Sequence, residues 1–463
     1  MRIARATEEE GGQARLVGGV VRDSLLGFRS GDFDFEVYGI SADRLAPMLH
    51  ALSPQQMDTV GASFGVLKAK FGDIEIDVAI PRIDSKAGSG HRGFEVMGDP
   101  SLPPEEAARR RDFTVNALSM DPLTGEIFDF FDGRADLERR VLRATDPTLF
   151  RHDPLRVLRA VQLAARLDFS VESGTIDLCR EMVREPEFAS LPSSRIGDEW
   201  RKLLLKSRRP SVGLNVGLEV GAWQVLHPEL AALVNCPQDP MWHPEGDVWT
   251  HTNIVLDAAA DIIRREKLEI NEGLLIMVSA LCHDLGKPAT TELIDGRWRS
   301  RGHASEGVTP TQAFLLRMDF GKKFESKVVR IVRNHLFPAM QAGKSTDVAV
   351  RYLSKRLDPA TIQELVLVAE ADHRGRDAPR DGFPAGAALL FQAEGLTVRQ
   401  APPQPILLGR HLIDKLGWKP GPHFGPILVA VEEAQIEGRV TTLEEGLEMA
   451  RLLAEGGLSS SQR

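Results

Sequence analysis

One stretch near the start of the chain, LVGGVVRDSLLGFRSGDFDFEV, constrains the fold more than any other. Its end, DFDFEV, alternates acidic and apolar side chains, and a period of two is typical of a β-strand. On such a strand the acids face one side, while the Phe and Val side chains face a core. The acids are Asp32, Asp34 and Glu36. The segment therefore predicts a sheet with one buried face and one acidic row.

Neighbouring carboxylates on one row repel one another unless a cation lies among them. Mg²⁺ is a hard ion that takes oxygen ligands and commonly accompanies phosphates. A second strand, IEIDVAI, offers Glu75 and Asp77 on one face. We predict Glu75 as the third carboxylate, with Asp77 as the alternative. Metals held in this way can activate a terminal hydroxyl and stabilise a leaving pyrophosphate.

Two glycines precede the acidic strand. Gly18 and Gly19 end the apolar run ARLV and lead into the helical segment VVRDSLLG. Backbone N–H groups at such a turn, together with the helix N-terminus, favour an anion. A Gly-Gly pair alone indicates only a tight turn, and an Asp-x-Asp strand alone indicates a solvated face. Their order and close spacing together predict a site for a nucleotide phosphate and a metal.

The pattern of the chain changes after about Leu142. Short β-type runs mix with helical ones before that point, and apolar helical segments dominate afterwards. With 463 residues, the chain is long enough for several domains. We predict an α+β fold in four regions: a head at 1–145, a helical neck at 146–235, a helical body at 236–385 and a helical tail at 386–463.

Composition and charge indicate where the protein works and what it binds. The net charge of −9 argues against a protein that coats nucleic acid, although RRRDF, LERRVLR and EWRKLLLKSRRP are local basic tracts. Three cysteines without CxxC spacing favour a reducing compartment. The N-terminus MRIARATEEEGG has no apolar signal segment, and no run is long enough to span a membrane. We therefore expect a cytoplasmic protein with no membrane partner.

Five motifs, in one order, resemble those of a known family. GGVVRDSLLG followed by DFDFEV resembles the head signature of the class II tRNA nucleotidyltransferases and bacterial poly(A) polymerases, within the DNA polymerase β superfamily. RRRDFTVNALSMD resembles the family's Arg-Arg-Asp motif, and FFDGRADLERRVLRA resembles its connector. DPLRVLRAVQLAARL resembles its base-reading helix, and SSRIGDEWRKLL resembles its neck helix. The resemblance covers residues 16–206.

The resemblance implies roles for individual residues. Asp32 and Asp34 would be the metal-binding catalytic pair. The nucleotide-binding residues would be Gly18, Gly19, Arg22, Arg110, Arg111, Asp112, Asn116, Asp153, Arg156 and Arg159. The neck would contact RNA phosphates through Arg195, Arg201, Lys202, Lys206, Arg208 and Arg209. Binding through phosphates should weaken as the salt concentration rises.

The chemistry of one helix suits a nucleobase. Asp153 and Arg156 are three residues apart and so share a helix face. Cytosine and adenine each present an amino donor beside a ring-nitrogen acceptor, which an Asp and an Arg complement. Alternatively, Asp153 only caps the helix and Arg156 is a surface ion-pair residue. The resemblance favours base reading. His152 stands where the family usually has Glu, which puts the pocket geometry and the change from C to A in question.

A Gly-rich basic loop, RIDSKAGSGHRGFEV from Arg82 to Val96, follows the acidic strands. Its place matches a flexible loop of the family that is associated with addition of the final A. It is equally consistent with a plain connector.

A second group of imidazoles and carboxylates lies between His243 and Asp372. The segments WTHTNIV, LCHDLGKPATT, RGHASEG, VRNHLFP and AEADHRGR supply it. The six candidate ligands are His251, His283, Asp284, His303, His335 and Asp372. Such a set suits one or two divalent transition metals. A His-Asp pair followed by Leu-Gly-Lys, with spaced histidines around it, is typical of a metal centre.

This segment resembles the HD phosphohydrolase family. The resemblance implies a first metal on His251, His283, Asp284 and Asp372, with His303 and His335 completing a second site. Ni²⁺, Mn²⁺ or Fe²⁺ would serve, and the expected activity is that of a phosphatase or cyclic phosphodiesterase. The alternative is an HD fold that only binds tRNA. The tail resembles the C-terminal segment of several family members, and we expect it to contact tRNA.

The sequence thus predicts an enzyme that adds CCA to tRNA 3′ ends from CTP and ATP, joined to an HD hydrolase that repairs those ends. Three alternatives share many of these features: an enzyme that adds only CC or only A, a poly(A) polymerase, and an HD phosphohydrolase whose head merely binds nucleotide.

Overall fold

The computed structural model describes residues 1–28, 31–58, 66–86, 94–340, 344–376 and 382–460. The chain forms two compact units, Met1–Pro228 and Glu229–Arg463. A mixed sheet lies in the first unit, and helices make up most of the second, so the predicted α+β class is confirmed. The predicted neck ends a few residues beyond the division at Pro228, and the three predicted boundaries between the four regions stay predictions.

The first unit contains the head sheet. Its strands are β1 Gln13–Val17, β2 Asp32–Tyr38, β3 Gln56–Asp58, β4 Val66–Phe71, β5 Ile74–Ala79, β8 Ser119–Met120 and β9 Ile127–Phe128, in the order β3-β4-β5-β2-β1-β8-β9. β6 Arg82–Lys86 pairs with β7 Phe94–Gly98, and β10 Val141–Leu142 pairs with β11 Ser170–Val171. Within the head sheet, β2 and β5 run parallel and the other pairs are antiparallel.

Helices cover the sheet and continue beyond it. In the first unit they are α1 Arg2–Glu9, α2 Gly19–Leu25, α3 Ala42–Ala51, α4 Pro104–Arg109, α5 Gly133–Arg139, α6 Pro147–Phe150, α7 Leu155–Leu167, α8 Ser173–Val183, α9 Pro186–Ala189, α10 Ser193–Lys206, α11 Pro210–Glu219, α12 Ala222–Leu226 and α13 Pro228–Ala231, which crosses the division. A 3-10 turn spans Thr114–Asn116.

Two helices pack on α7 and hold its position. α10 and α11 both contact α7. The buried indoles of Trp200 on α10 and Trp223 on α12 lie 5.0 Å apart. Gly217 is required in α11 because a Cβ there would lie 2.2 Å from the Trp223 ring. This close packing makes α7 a rigid support for the residues at its exposed face.

The second unit is built on long helices. They are α14 Val248–Arg265, α15 Ile270–Cys282, α16 Lys287–Thr290, α17 His303–Glu306, α18 Val308–Leu316, α19 Lys322–Asn334, α20 Phe337–Met340, α21 Asp347–Leu357, α22 Ile362–Arg374, α23 Pro384–Gly395, α24 Gly409–Leu416, α25 Phe424–Ile436 and α26 Leu443–Ser460. A hairpin, β12 Thr291–Ile294 and β13 Arg297–Ser300, is inserted between α16 and α17 and adds a β element to a region that the sequence predicts as helical.

The two parts of this unit have separate cores. α14 packs on α15 and α22, and α15 packs on α19, so the middles of these helices are apolar and buried. The last three helices gather around a second cluster that includes Leu407, Leu412, Ile427 and Val431. Within the described ranges, no helix combines the length and the apolar character needed to cross a lipid bilayer.

Candidate functional sites

A cleft of about 780 Å³ opens in the first unit. Its lining includes every nucleotide-binding residue that the sequence predicts, together with Asp34, Glu75, Arg195, Lys202 and Lys206. The side chain of Asp32 lies outside the described residues, and Arg201 is absent from the lining. Residues from strands β2 and β5 and from helices α7 and α10 are thus brought to one place.

The parallel pairing of β2 and β5 aligns the acids. Asp32 lies opposite Glu75, and Asp34 lies opposite Asp77. Lys68 on β4 places its Nζ 3.1 Å from Asp77 Oδ2, and this hydrogen bond raises the pKa of the lysine. Asp77 therefore has a cationic partner, which favours Glu75 as the third acid beside the pair on β2.

The third acid of the DFDFEV row, Glu36, has a structural role. Its Oε1 accepts a hydrogen bond from Arg111 Nη2 at 2.7 Å, and its Oε2 accepts one from the Tyr38 hydroxyl at 2.9 Å. Arg111 in turn lies against the glycine turn, because a Cβ on Gly18 would be 2.7 Å from its Nη1. Gly18 also has a φ of +73°, so both the backbone and the close approach of the guanidinium require glycine.

Arg22 lies deeper than the glycine turn. Its guanidinium donates to the Asp23 carboxylate at 2.6 and 2.8 Å, and also to the Asn116 side-chain oxygen. Asp23 accepts a further hydrogen bond from Arg166 Nη2 at 3.1 Å. Arg22 is 3 % exposed, so the side chain that the resemblance assigns to the triphosphate is held in a buried network among the residues that line the cleft.

Asp112 accepts four hydrogen bonds in the cleft. Its Oδ1 accepts from the Phe113 backbone N–H and from Asn116 Nδ2, both at 2.9 Å. Its Oδ2 accepts from Arg159 Nε at 2.6 Å and Nη2 at 2.5 Å. Burial opposes ionisation, but Arg159 and Asn116 outweigh it and lower the pKa of Asp112 to about 2. Asp112 thereby fixes Arg159 on α7.

Asp153 and Arg156 both face the cleft, and both are held by protein contacts. Arg156 donates to the carbonyls of Leu149 at 3.0 Å and Arg110 at 2.5 Å. Asp153 Oδ1 accepts from the Leu155 N–H at 3.1 Å, so the capping contact that the sequence offered as an alternative is present. Its Oδ2 also accepts from Arg195 Nη2 at 3.2 Å.

The remaining neck cations differ in their surroundings. Lys202 pairs with buried Glu199 at 2.7 Å, Arg201 pairs with Asp198 at 2.9 Å, and Lys206 is exposed at the cleft. Arg209 lies 3.7 Å from Asp168. The predicted flexible loop falls partly on residues 87–93, outside the described residues.

The second unit gathers the six predicted HD ligands, here called the HD centre: His251, His283, Asp284, His303, His335 and Asp372. In one half, His251 Nε2 lies 3.0 Å from Asp372 Oδ1 and 3.4 Å from His283 Nε2. The two halves meet at Asp284, whose Oδ2 is 3.0 Å from His283 Nε2 and whose Oδ1 is 3.3 Å from His303 Nε2.

The other half of the centre presents two unprotonated nitrogens to each other. His303 Nε2 and His335 Nε2 lie 3.3 Å apart, while their Nδ1 atoms donate to the carbonyls of Ser300 at 2.8 Å and Val332 at 2.7 Å. Burial, with His303 and His283 nearby, lowers the pKa of His335 to about 3, and burial also lowers the pKa of His303. Both rings are therefore neutral at pH 7, and their facing lone pairs fit a shared cation.

Residues around the HD centre orient its ligands. Glu245 Oε1 accepts from His251 Nδ1 at 2.7 Å and lies 2.8 Å from His243 Nδ1. Burial opposes ionisation of Glu245, but these hydrogen bonds lower its pKa to about 2. Lys287 Nζ lies 2.7 Å from Asp284 Oδ2, and Arg376 Nη2 donates to Asp372 Oδ2 at 2.6 Å.

Comparison with known proteins places the chain in a family. Residues 14–143 match the poly A polymerase head domain, and residues 248–377 match the HD domain. A multifunctional CCA protein of Xanthomonas campestris pv. campestris (strain B100) is 38% identical over 384 residues, covering 81% of this chain and 88% of that protein. The chain belongs to the multifunctional CCA protein family. The predicted resemblance to the class II tRNA nucleotidyltransferases, with an HD domain, is thereby confirmed.

Solved structures related to this family share the fold. The CCA-adding enzyme of Bacillus stearothermophilus in complex with CTP has a TM-score of 0.66 and 19% identity, over 100% of this chain and 98% of that chain. The Thermotoga maritima CCA-adding enzyme complexed with tRNA_CCA has a TM-score of 0.57 and 17% identity, over 98% and 94%. The two domain types found in this family are generally metal-dependent.

Several residues at these sites were missed by the sequence reasoning. Glu245 and Lys68 lie outside every segment that was singled out, so only their contacts place them at the HD centre and the cleft. Arg166 and Arg376 lie inside segments that were singled out, DPLRVLRAVQLAARL and AEADHRGR, but no role was predicted for either residue. Lys287 was within reach of prediction, because it ends the His-Asp-Leu-Gly-Lys segment that was singled out.

Proposed function

We propose that the chain is a template-independent RNA nucleotidyltransferase that adds CCA to tRNA 3′ ends, using CTP and ATP. The observation that carries this proposal is the single cleft that joins the acids of β2 and β5 to the cationic faces of α7 and α10. Acids suit metal-bound phosphates, and the cations suit triphosphate and RNA backbone.

The reaction is a phosphoryl transfer. The RNA 3′-hydroxyl attacks the α-phosphate of the incoming nucleotide, its proton is lost, and pyrophosphate leaves. Asp32, Asp34 and Glu75 would hold Mg²⁺, which activates the hydroxyl and stabilises the leaving group. Asp34 and Lys68 line the cleft, and both Arg110 and Arg111 line the same cleft, where they would orient the triphosphate.

Base selection falls to Asp153 and Arg156. Backbone carbonyls accept from two of the five N–H groups of Arg156, so the guanidinium is fixed before the base arrives. A uracil or guanine edge would leave both side chains mismatched, at about 1–3 kcal/mol for each unpaired buried group. We propose that His152, which directly precedes Asp153, leaves this selection intact.

Stepwise addition tests the proposal. The substrates are tRNA transcripts that end before CCA, after the first C and after CC, each with CTP, ATP or both, and with Mg²⁺. Addition of C, C and A that then stops supports the proposal. Incorporation of only CC, only A or a long A tail moves the chain to a sister activity. The double variant Asp32→Ala with Asp34→Ala should abolish incorporation.

A second function is favoured by the HD centre. We propose metal-dependent hydrolysis of phosphate esters at tRNA 3′ ends, with Ni²⁺, Mn²⁺ or Fe²⁺ held by the six ligands. The facing Nε2 atoms of His303 and His335 support it, because neutral imidazoles at 3.3 Å gain nothing from each other without a cation. A bound metal lowers the pKa of water and polarises the phosphate.

The two functions separate cleanly by mutation. Asp284→Asn should abolish metal-dependent release of phosphate and leave nucleotide addition intact, whereas Asp34→Asn should do the reverse. If both variants lose both activities, the assignment of one reaction to each unit is wrong.

We propose that the chain has four regions: the head at 1–145, the neck at 146–235, the HD body at 236–385 and a tRNA-contacting tail at 386–463. We also propose that the protein works in the cytoplasm. All three cysteines are buried and free, consistent with work in the reducing cytoplasm.

A further inference from the structure

An exposed apolar pair lies beside the HD centre. The side chains of Met241 and Trp242 are 72% and 63% exposed. Trp242 directly precedes His243, whose ring stacks edge-on against His251 with centroids 4.7 Å apart. An indole is thus held in solvent one residue away from a side chain that touches a predicted metal ligand.

The loop that carries the indole is fixed at several points. Lys287 Nζ donates to Gln238 Oε1 at 2.6 Å, and Arg297 donates to Asp239 Oδ2 at 2.7 Å. At the end of the loop, Asp247 caps α14. These bonds hold the loop between α13 and α14 in place, so the exposure of Trp242 belongs to an ordered segment.

The hairpin beside the loop adds a cation. Arg297 lies on β13, and its Nη2 lies 3.5 Å from Met241 Sδ. Trp298, the next residue, takes the opposite face of the hairpin, across from Leu293, and is not part of this surface. The same strand ends at Ser300, whose carbonyl accepts from His303 Nδ1. The loop and the hairpin therefore both connect the aromatic surface to the HD centre.

We propose that Trp242, supported by the Arg297 hairpin, forms a subsite that stacks the unpaired terminal base of an RNA whose 3′-end phosphate lies at the HD centre. The proposal deepens the hydrolase function proposed above and rests on it. Bases of any identity have a flat face that stacks on an indole, and stacking on exposed aromatics is how proteins bind single-stranded ends.

Charge and chemistry favour this occupant over an apolar protein segment. Arg297 pairs with Asp239 beside Trp242, and Arg376 and Lys287 lie against the carboxylates of the HD centre. A nucleotide offers phosphates and hydroxyls to these charged pairs, whereas an apolar segment would bury them without new polar contacts. The subsite would also make the centre favour nucleotides over small phosphate esters.

The experiment compares two substrates of the full-length protein with Mn²⁺: adenosine 2′-monophosphate and glycerol 2-phosphate, which has no base. Trp242→Ala should raise KM for the nucleotide roughly tenfold and leave kcat and the glycerol phosphate reaction unchanged. Trp242→Phe should restore most of the affinity. Phe391→Ala is the matched control, because that aromatic side chain is 85% exposed on α23 of the same unit.

An equal change for both substrates, or no change for the nucleotide, overturns the subsite. If the wild type hydrolyses neither substrate, the hydrolase function fails, and binding then decides the subsite. In that case, adenosine 2′-monophosphate is titrated into the wild type and into Trp242→Ala, whose heads are identical, so binding at the head contributes equally to both. Quenching of tryptophan fluorescence that is weaker in Trp242→Ala supports the subsite, and quenching that is the same in both proteins overturns it.

Discussion

The Glu245→Gln substitution tests how the protein prepares the HD centre for metal. One carboxylate oxygen accepts from His251 Nδ1 at 2.7 Å, which fixes the proton on that nitrogen and leaves Nε2 free to ligate. Glutamine keeps the size of the side chain and one acceptor oxygen but removes the negative charge. We therefore expect the orientation of His251 to persist while the basicity of its Nε2 falls.

The expected magnitude follows from the kind of contact. Loss of a hydrogen-bonding partner behind a ligand typically weakens metal binding by about 10- to 100-fold, or about 1.4–2.7 kcal/mol. Only the half of the centre with His251, His283 and Asp372 should be affected. The half with His303 and His335 takes its orientation from backbone carbonyls, and Glu245 does not touch it in the described contacts.

The assay is Mn²⁺ binding to the full-length protein in competition with a chromophoric chelator, with stoichiometry from elemental analysis. Glu370→Gln is the control, because Glu370 is a buried carboxylate of the same unit that is paired with Arg265 and Arg374. A Glu245→Gln affinity within threefold of wild type would refute the reasoning. So would an equal loss in both variants.

The pH dependence provides a second check. The pKa of Glu245 is lowered to about 2, so this group stays ionised from pH 8 down to pH 6. Burial opposes protonation of His251, but its hydrogen bonds to Asp372 and Glu245 outweigh burial and raise its pKa. Protons therefore compete with the metal for His251 more strongly in the wild type than in Glu245→Gln, and the ratio of wild-type to variant affinity should shrink from pH 8 to pH 6 while both affinities fall. A ratio that stays constant would contradict the effect of the Glu245 charge on His251.

Three further outcomes follow from the structure. Asp112→Asn should lower the free energy of unfolding by about 3 kcal/mol at pH 7, because the charged bonds with Arg159 are lost. The pKa of Asp112 is depressed to about 2, so the loss of unfolding free energy in the variant is complete above about pH 4 and should be smaller by about 1 kcal/mol at pH 3. Denaturation experiments that give the same loss at pH 7 and at pH 3 would contradict this. Arg195→Ala should raise KM for CTP and ATP roughly two- to fivefold and weaken discrimination against UTP, because Asp153 loses its partner in a half-exposed ion pair. Nucleotide-addition assays that show unchanged discrimination would argue against a positioning role for Arg195. Gly286→Ala should abolish the rise in Tm on adding Mn²⁺, because the new Cβ would lie 2.1 Å from a backbone oxygen; a normal metal-induced shift would contradict that expectation.

The alternation in DFDFEV predicted a half-buried strand and an acidic row, and β2 has both. What the pattern could not predict is that Glu36 of this row pairs with Arg111, 75 residues further along. Periodicity reports which face a side chain takes, but its partner on that face depends on tertiary packing. The same limit explains Asp77, whose pairing with Lys68 depends on the register between β4 and β5.

The HD centre shows a similar division. Its six candidate ligands could be predicted because histidine and aspartate in recognisable segments are typical of metal sites. Glu245 lies six residues before His251 in a loop with no helical or strand period, so its approach to that ring depends on the path of the loop. Family resemblance supplied the residue roles in the head, and the contacts then showed which of those residues are held by buried networks, as Arg22 is.

The parallel pairing of β2 and β5 has a consequence for how the chain matures. Parallel neighbours cannot be joined by a tight turn, and here α3, β3 and β4 lie in the connection between them. Asp32 and Glu75 therefore come abreast only through a contact between residues far apart in the sequence, and such non-local pairing forms more slowly than local helices and hairpins. A nascent chain on the ribosome carries Gly18, Gly19 and the acids of DFDFEV before Glu75 has been made, so the acids of the two strands cannot come together until β5 has been synthesised.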